Sequence, residues 1–198
     1  MKRIFDLVVS LSLLIILLPI FIFISFWILL DDPGPVFYLQ ERIGYREIPF
    51  RILKFRTMYR NADRKGLLTV GGRDPRVTRS GYYLRKYKLD ELPQLINVIK
   101  GEMSLVGPRP EVKKFVDLYN VEQLQVFQVK PGITDFASIE YANENELLSK
   151  SPDAEKTYIQ EIMPAKLELN LKYVAEQGFG TDLKILFKTF SRVFLKNS

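Results

Sequence analysis

Residues 12–23 read SLLIILLPIFIF, an apolar stretch with Pro19 in its middle. From Leu7 to Leu30 no residue is charged. As one helix that run would be about 36 Å long, enough to cross a hydrocarbon core about 30 Å thick. Pro19 argues against a straight crossing, because it removes a backbone hydrogen bond and clashes with the preceding turn, at roughly 3 kcal/mol. It leaves 12 uncharged residues before it and 11 after, each arm about 17 Å long and able to reach the midplane but not to cross. The expectation is a re-entrant helix broken at Pro19, with a kinked crossing helix as the competing reading. Carbonyls freed near Ile15 and Ile16 need partners, and Ser10, Ser12 or Ser25 could supply them. A signal peptide fits poorly, since DDPGPVFY follows in place of a small-residue cleavage site. The segment is therefore expected to stay on the mature protein and to bind membrane.

Working outward, residues 1–32 form the membrane segment and 33–198 one further domain, since the remaining length suffices for a single core. The net charge of +6 suits anionic lipid, a phosphorylated substrate or nucleic acid, and selects none of them. The absences are more informative. Without cysteine there is no disulfide framework and no thiolate nucleophile; without histidine the usual general base and the commonest metal ligand are missing. Catalysis would have to run on Asp, Glu, Lys, Tyr or hydroxyl groups, and any metal would be oxygen-ligated and magnesium-like.

DDPGP at 31–35 breaks the first helix. PVFYLQERIG and PFRILKFRTM (49–58) read as two strands, and residues 59–76 as a loop with one helical turn. One helix is expected from Gly81 to Lys86. Another runs from near Asp90 to Gly101, with Leu92, Leu95, Ile96 and Ile99 at helical spacing. A further helix is expected over 110–126, then a turn at KPGIT (130–134), then one or two helices in SPDAEKTYIQEIMPAKLELNLKYVAEQG. The last helix, from about Thr181, carries Leu183, Leu186, Phe187, Phe190, Val193 and Phe194 on one stripe. Lys184, Lys188, Arg192 and Lys196 recur four apart on the other side, which suits either a membrane surface or ordinary core packing. The fold class is α+β: a mostly helical domain with a short sheet and amphipathic interfacial helices.

In KLDELPQL (88–95), Pro93 is tolerated only in a first helical turn, which puts Asp90 and Glu91 at a helix start. Acidic residues there are often simple caps. A carboxylate pair at a helix N-terminus can also present an oxygen nucleophile and hold a divalent cation beside a phosphate. In LKFRTM, a strand would project Lys54 and Arg56 to one face, where an anion would relieve their repulsion. Arg79 and Arg85 precede the acid pair and could clamp a diphosphate. In GPRP, prolines on both sides hold the backbone of Arg109. An acid pair, fixed cations and a membrane segment together suit phosphoryl transfer at a membrane surface.

The order KFRTM, then DPRVTRSGYYLRKYKLDELPQLINVIKGEMSLVGPRP, then PGIT resembles the bacterial sugar transferase family, the monotopic phosphoglycosyl transferases. The likeness runs from the N-terminal apolar segment to about Lys188 and is to the minimal catalytic form. It implies transfer of sugar-1-phosphate from a UDP-sugar to polyprenol (undecaprenyl) phosphate, giving polyprenyl-diphosphate-sugar and UMP, as the first membrane step of surface glycan assembly. By resemblance, Asp90 attacks the β-phosphate, Glu91 assists the acceptor or the metal, and both hold Mg2+. Lys54, Arg56, Arg85 and Arg109 match positions near the phosphates. The implied site is the cytoplasmic face of the bacterial inner membrane, with membrane lipid and no nucleic acid as partners. After Thr134, PGITDFASIEY departs from the commoner PGITGWAQV, so no sugar-recognition residue carries over. Two other readings remain: a membrane-anchored basic binding module without catalysis, and a glycosyltransferase that passes only the sugar and releases UDP.

Overall fold

The computed structural model describes residues 1–60, 62 and 74–194, with the side chains of 193 and 194 excepted. Most of the expected loop at 59–76, together with Val193, Phe194 and Lys196 as members of the last helix's stripes, therefore lies outside the described side chains. The chain opens with α1 (Lys2–Ile16) and α2 (Leu18–Asp31), which meet at Leu17 with a bend of 60°. Pro19 sits in the first turn of α2, where its missing N–H is unfelt. Among the described residues, no single helix is long and apolar enough to cross a membrane.

The serines do not serve the break as expected. Ser25 donates back to the Phe21 carbonyl at 2.7 Å, and the buried Ser10 hydroxyl has no partner. Backbone bonds carry the ladder through the bend instead, Leu17 N to Leu13 O at 2.8 Å and Phe21 N to Leu17 O at 2.9 Å.

Both outer ends of this bent pair are tied to the rest of the chain. Lys2 donates to the Val106 carbonyl (3.0 Å) and the Tyr173 hydroxyl (3.1 Å) and pairs with Asp182. Arg3 donates to the Val98 (2.6 Å) and Ile99 (3.0 Å) carbonyls in the last turn of a helix, where carbonyls lack the usual intrahelical partners. Buried Asp6 accepts from the Ser104 hydroxyl at 2.8 Å. At the far end, Asp31 accepts from Ser80 N at 2.7 Å, and Arg56 reaches both the carbonyl and the carboxylate of Asp32. The inner face of α2, Phe21, Ile24 and Ile28, buries itself against Phe55 and Leu84.

The two expected strands form β1 (Phe37–Ile43) and β2 (Pro49–Phe55), an antiparallel pair with Phe37 opposite Phe55. Next come α3 (Arg79–Lys86), capped by Thr78, and α4 (Gln94–Lys100), ended by left-handed Gly101. The expected turn at KPGIT is in fact half of a second sheet: β3 (Ser104–Val106) pairs in parallel with β4 (Gly132–Thr134). These strands pass so closely that a Cβ on Gly132 would lie 2.1 Å from the Gly107 nitrogen. The helix expected over 110–126 is likewise two pieces, α5 (Lys113–Val116) and a 3₁₀ turn over Gln123–Gln128. Asn120 and Gln123 exchange side-chain to backbone bonds at 2.9 Å each, a capping box that starts the second piece afresh.

The chain continues through α6 (Phe136–Glu140), α7 (Glu144–Ser149), α8 (Ala154–Thr157), α9 (Met163–Glu176) and α10 (Phe179–Phe194). A π turn at Tyr158–Ile162 joins α8 to α9 just before Pro164. The main core packs Phe115, Phe127, Leu148, Ile162 and Leu167 from these elements. On α10, Ile185 is fully buried, yet Leu183, Phe187 and Phe190 are exposed along with Lys184 and Lys188. Of its apolar stripe, Leu186 packs against the core while Leu183, Phe187 and Phe190 stay exposed. The molecule is α+β, mostly helical, with two small sheets among the described residues.

Candidate active site

The acid pair does not open the α-helix directly. Asp90 and Glu91 lie in a 3₁₀ turn, Leu89–Glu91, entered through Lys88 in the left-handed region (φ 57°). Pro93 then caps α4, so the pair sits one turn ahead of the helix proper. This is a correction to the expected helix start, with a simple cause: the missing Pro93 N–H interrupts the ladder, and a tighter turn takes its place.

Glu91 is gripped from two sides. Its Oε1 accepts from Lys54 Nζ at 3.2 Å, and both its oxygens accept from the Arg109 fork, Oε2 from Nη1 at 3.1 Å and Oε1 from Nη2. Burial alone would raise its pKa, but the charges of Arg109 and Lys54 and the Arg109 hydrogen bond hold it well below the usual carboxylate range. Arg109 is held up in turn by Glu91. Its backbone N–H donates to Asp135 at 3.1 Å, which anchors the Pro-flanked turn. Lys54 is pushed down by burial, against the pull of Glu91.

Asp90 has the opposite fate. It is 7% exposed, and its Oδ1 has no hydrogen-bond partner. Burial, then the neighbouring Glu91 charge, push its pKa up, and Lys54 and Arg85 offset this only in part. Arg85 donates through Nε to Thr57 at 2.8 Å, and burial lowers its pKa. A carboxylate buried with one bare oxygen is short of hydrogen-bond donors and cations. It can be relieved by a metal ion or a proton, or react as a nucleophile. Magnesium is commonly held by one or two carboxylates plus substrate phosphates. The bare Oδ1 fits that donor set, while Glu91 is already committed to two cations. No cluster of three or more acidic side chains that could hold a metal occurs among the described residues.

These side chains line a cavity of about 610 Å³. Lys54, Arg85, Asp90, Glu91 and Arg109 line it as one charged group, with further charged residues such as Arg42, Glu111 and Lys166 elsewhere on its wall; Leu13 and Leu17 from the bend between α1 and α2, with Leu186 and Phe190 from α10, form an apolar part. Two expected members are elsewhere. Because β2 ends at Phe55, Arg56 does not share the Lys54 face, and it is spent on Asp32 at the exit of α2. Arg79 is exposed on the first turn of α3 and does not line the cavity. Conversely, sequence reasoning missed the α6 and α9 wall, with Ser138, Lys166 and Asn170. The only local signal was the spacing of Lys166 and Asn170, four apart on one helix face.

A family model described as bacterial sugar transferase matches residues 1–196. The chain belongs to the bacterial sugar transferase family. It is 39% identical over 195 residues to an uncharacterized sugar transferase, EpsL, of Bacillus subtilis, covering 98% of this chain and 88% of that one. It is 35% identical to the UDP-N-acetylgalactosamine-undecaprenyl-phosphate N-acetylgalactosaminephosphotransferase of Aeromonas hydrophila, over 97% of this chain and 43% of that one. It is also 35% identical to the UDP-glucose:undecaprenyl-phosphate glucose-1-phosphate transferase of Escherichia coli, over 100% and 41% respectively. The chain thus spans less than half the length of the last two relatives. In this sugar transferase the acid pair and three of the five cations line one cavity, while Arg56 holds Asp32 at the exit of α2 and Arg79 is exposed at the start of α3.

Proposed function

We propose that this chain transfers sugar-1-phosphate from a UDP-sugar to polyprenol phosphate, releasing UMP. The observation that carries the reading is Asp90: a buried carboxylate with a bare oxygen and a raised pKa, beside a glutamate locked by Arg109 and Lys54. The names of the Aeromonas and Escherichia relatives support the donor and acceptor classes. In the first step an Asp90 oxygen forms a bond to the donor's β-phosphorus, and the bond from that phosphorus to the UMP oxygen breaks. In the second, an oxygen of the polyprenol phosphate attacks the same phosphorus and Asp90 leaves. Lys54, Arg85 and Arg109 neutralise the charge spread over the equatorial oxygens. Asp90 would hold magnesium through its bare Oδ1 together with substrate phosphates, and Glu91 would join it only by giving up part of its grip on Lys54 and Arg109; the ion supplies further neutralisation of the diphosphate when bound.

The apolar part of the cavity suits the lipid chain, and Leu13 and Leu17 at the bend of α1 and α2 line it. Exposed Ile15, Ile16, Ile22, Phe23 and Phe26 on those helices support burial in lipid, as do Phe187 and Phe190 on α10. We read α1 and α2 as a re-entrant hairpin in the inner membrane, with the catalytic domain on the cytoplasmic face.

The test is UMP release from UDP-sugars in the presence of polyprenol phosphate. Asp90→Asn should lower turnover by about three orders of magnitude or more, and excess chelator should stop the reaction until magnesium is restored. Near-normal UMP release by Asp90→Asn would overturn the covalent step. UDP in place of UMP would overturn the reaction class.

A further inference from the structure

Three parts of the cavity have chemistries that match three parts of the reaction: cations for the diphosphate, an apolar mouth for the lipid, and a wall on α6 and α9 that neither uses. α6 packs on α9, and that wall carries neutral polar groups. Asn170 is 5% exposed and its Oδ1 has no partner; the Ser138 hydroxyl is also buried without one. Beside them, Lys166 pairs with Glu144 at 2.7 Å, and both line the cavity. A buried polar group left unpaired costs most of a hydrogen bond, and Ser138 and Asn170 differ from the unpaired Ser10 hydroxyl and Gln94 amide nitrogen in lining the cavity, where the polar groups of a ligand can reach them.

We infer that Ser138, Asn170 and the Lys166–Glu144 pair form the subsite for the sugar of the donor, and set which sugar is accepted. The inference rests on the proposed reaction. A hydroxyl, an amide and an ion pair offer donors and acceptors together, which is what a ring of hydroxyls requires; a diphosphate would demand net positive charge, and a lipid none. The wall is also tied to the reacting centre. Asp135 caps α6 through Ser138 N at 2.6 Å and holds Arg109 N with its other oxygen. Ser138 is therefore set at a fixed position from the arginine that grips Glu91.

The experiment uses the full chain in detergent with polyprenol phosphate, and compares wild type, Ser138→Ala and Asn170→Ala. UMP release is measured from UDP-glucose, UDP-galactose and their N-acetylhexosamine counterparts, along with inhibition by UMP. A site built to bond a hydroxyl rejects the analogue lacking it far more strongly than an apolar pocket rejects a methylene. Each variant should therefore change the kcat/KM ratio of the best donor to the next by about tenfold or more, with UMP inhibition within about twofold of wild type. A parallel fall for every donor, or a loss of UMP affinity in step, would overturn the assignment, the latter pointing to the uridine instead. If Asn170→Ala does not fold, Ser138→Ala decides alone, since it deletes one oxygen. Failure of wild type to release UMP from any donor would instead overturn the parent reaction, a result that the variants cannot imitate.

Discussion

At Asp90 stability and chemistry pull in opposite directions. Burial, then the adjacent Glu91 charge, raise its pKa in the fold, so the folded chain binds that proton more tightly than the unfolded one. The sign follows by linkage. Asp90's contribution to stability is fully present below the unfolded value of about 3.9 and is lost as pH rises through the raised folded value. At neutral pH its ionised form is a net cost. Glu91 has the reverse sign: its pKa is lowered in the fold, so its contribution is present above about 4.3 and lost as pH falls through the folded value. Asp90→Asn should accordingly raise the Tm at pH 7–8 in metal-free buffer while activity disappears, and the gain should vanish below about pH 4. Glu91→Gln should lower the Tm, because it strips the counter-charge from Lys54 and Arg109. Thermal melts of both variants across pH check this, and an Asp90→Asn protein less stable than wild type at neutral pH would contradict it.

At the scale of elements, α3 is positioned by an absence of atoms. A Cβ on Gly81 would stand 2.1 Å from the Thr57 carbonyl oxygen, which is backbone and cannot yield. Gly81→Ala should push α3 away from the strand end and carry Arg85 with it. We expect a loss of about 1–3 kcal/mol and, in whatever folds, reduced UMP release at unchanged kcat ratios between donors; a variant of wild-type Tm would mean that the close approach is not required. The same element shows what the sequence could and could not tell. The helix holding Arg85, the β1–β2 hairpin and the break at Pro19 were all legible, because caps, short apolar runs and proline act locally. Of the cations named from the sequence, Lys54, Arg85 and Arg109 line the cavity, whereas Arg56 pairs with Asp32, a partner that depends on where β2 stops. The β3–β4 pair was invisible: three-residue strands containing Gly132 have no periodicity, and their pairing joins segments far apart in the chain. The α9 wall was missed for a related reason, since nothing near Asn170 reveals that α9 folds back against the Arg109 turn.

At the scale of the whole molecule, the question posed by Pro19 becomes one of geometry. With a bend of 60° and arms of 15 and 14 residues, the apex would lie about 11 Å below a plane that contains both ends. That is less than the half-thickness of about 15 Å, so the hairpin would occupy one leaflet and stop short of the midplane. The ends cannot part without breaking bonds to a common body, because Lys2, Arg3 and Asp6 hold β3, α4 and α10 while Asp31 meets α3. A crossing helix would have to give up one set of these bonds. The chain has no cysteine, so single introduced thiols report cleanly. Position 2 should be avoided, since Lys2 is one of the anchors. A cysteine fused ahead of Met1 and, separately, Val121→Cys, at a position 86% exposed, would mark the N-terminus and the catalytic domain. In intact cells a membrane-impermeant thiol reagent should reach neither, and both should react once the membrane is opened. Labelling of the N-terminal cysteine from outside, with Val121→Cys still protected, would mean that the segment crosses and that the anchors at Lys2, Arg3 and Asp6 are not made in the membrane.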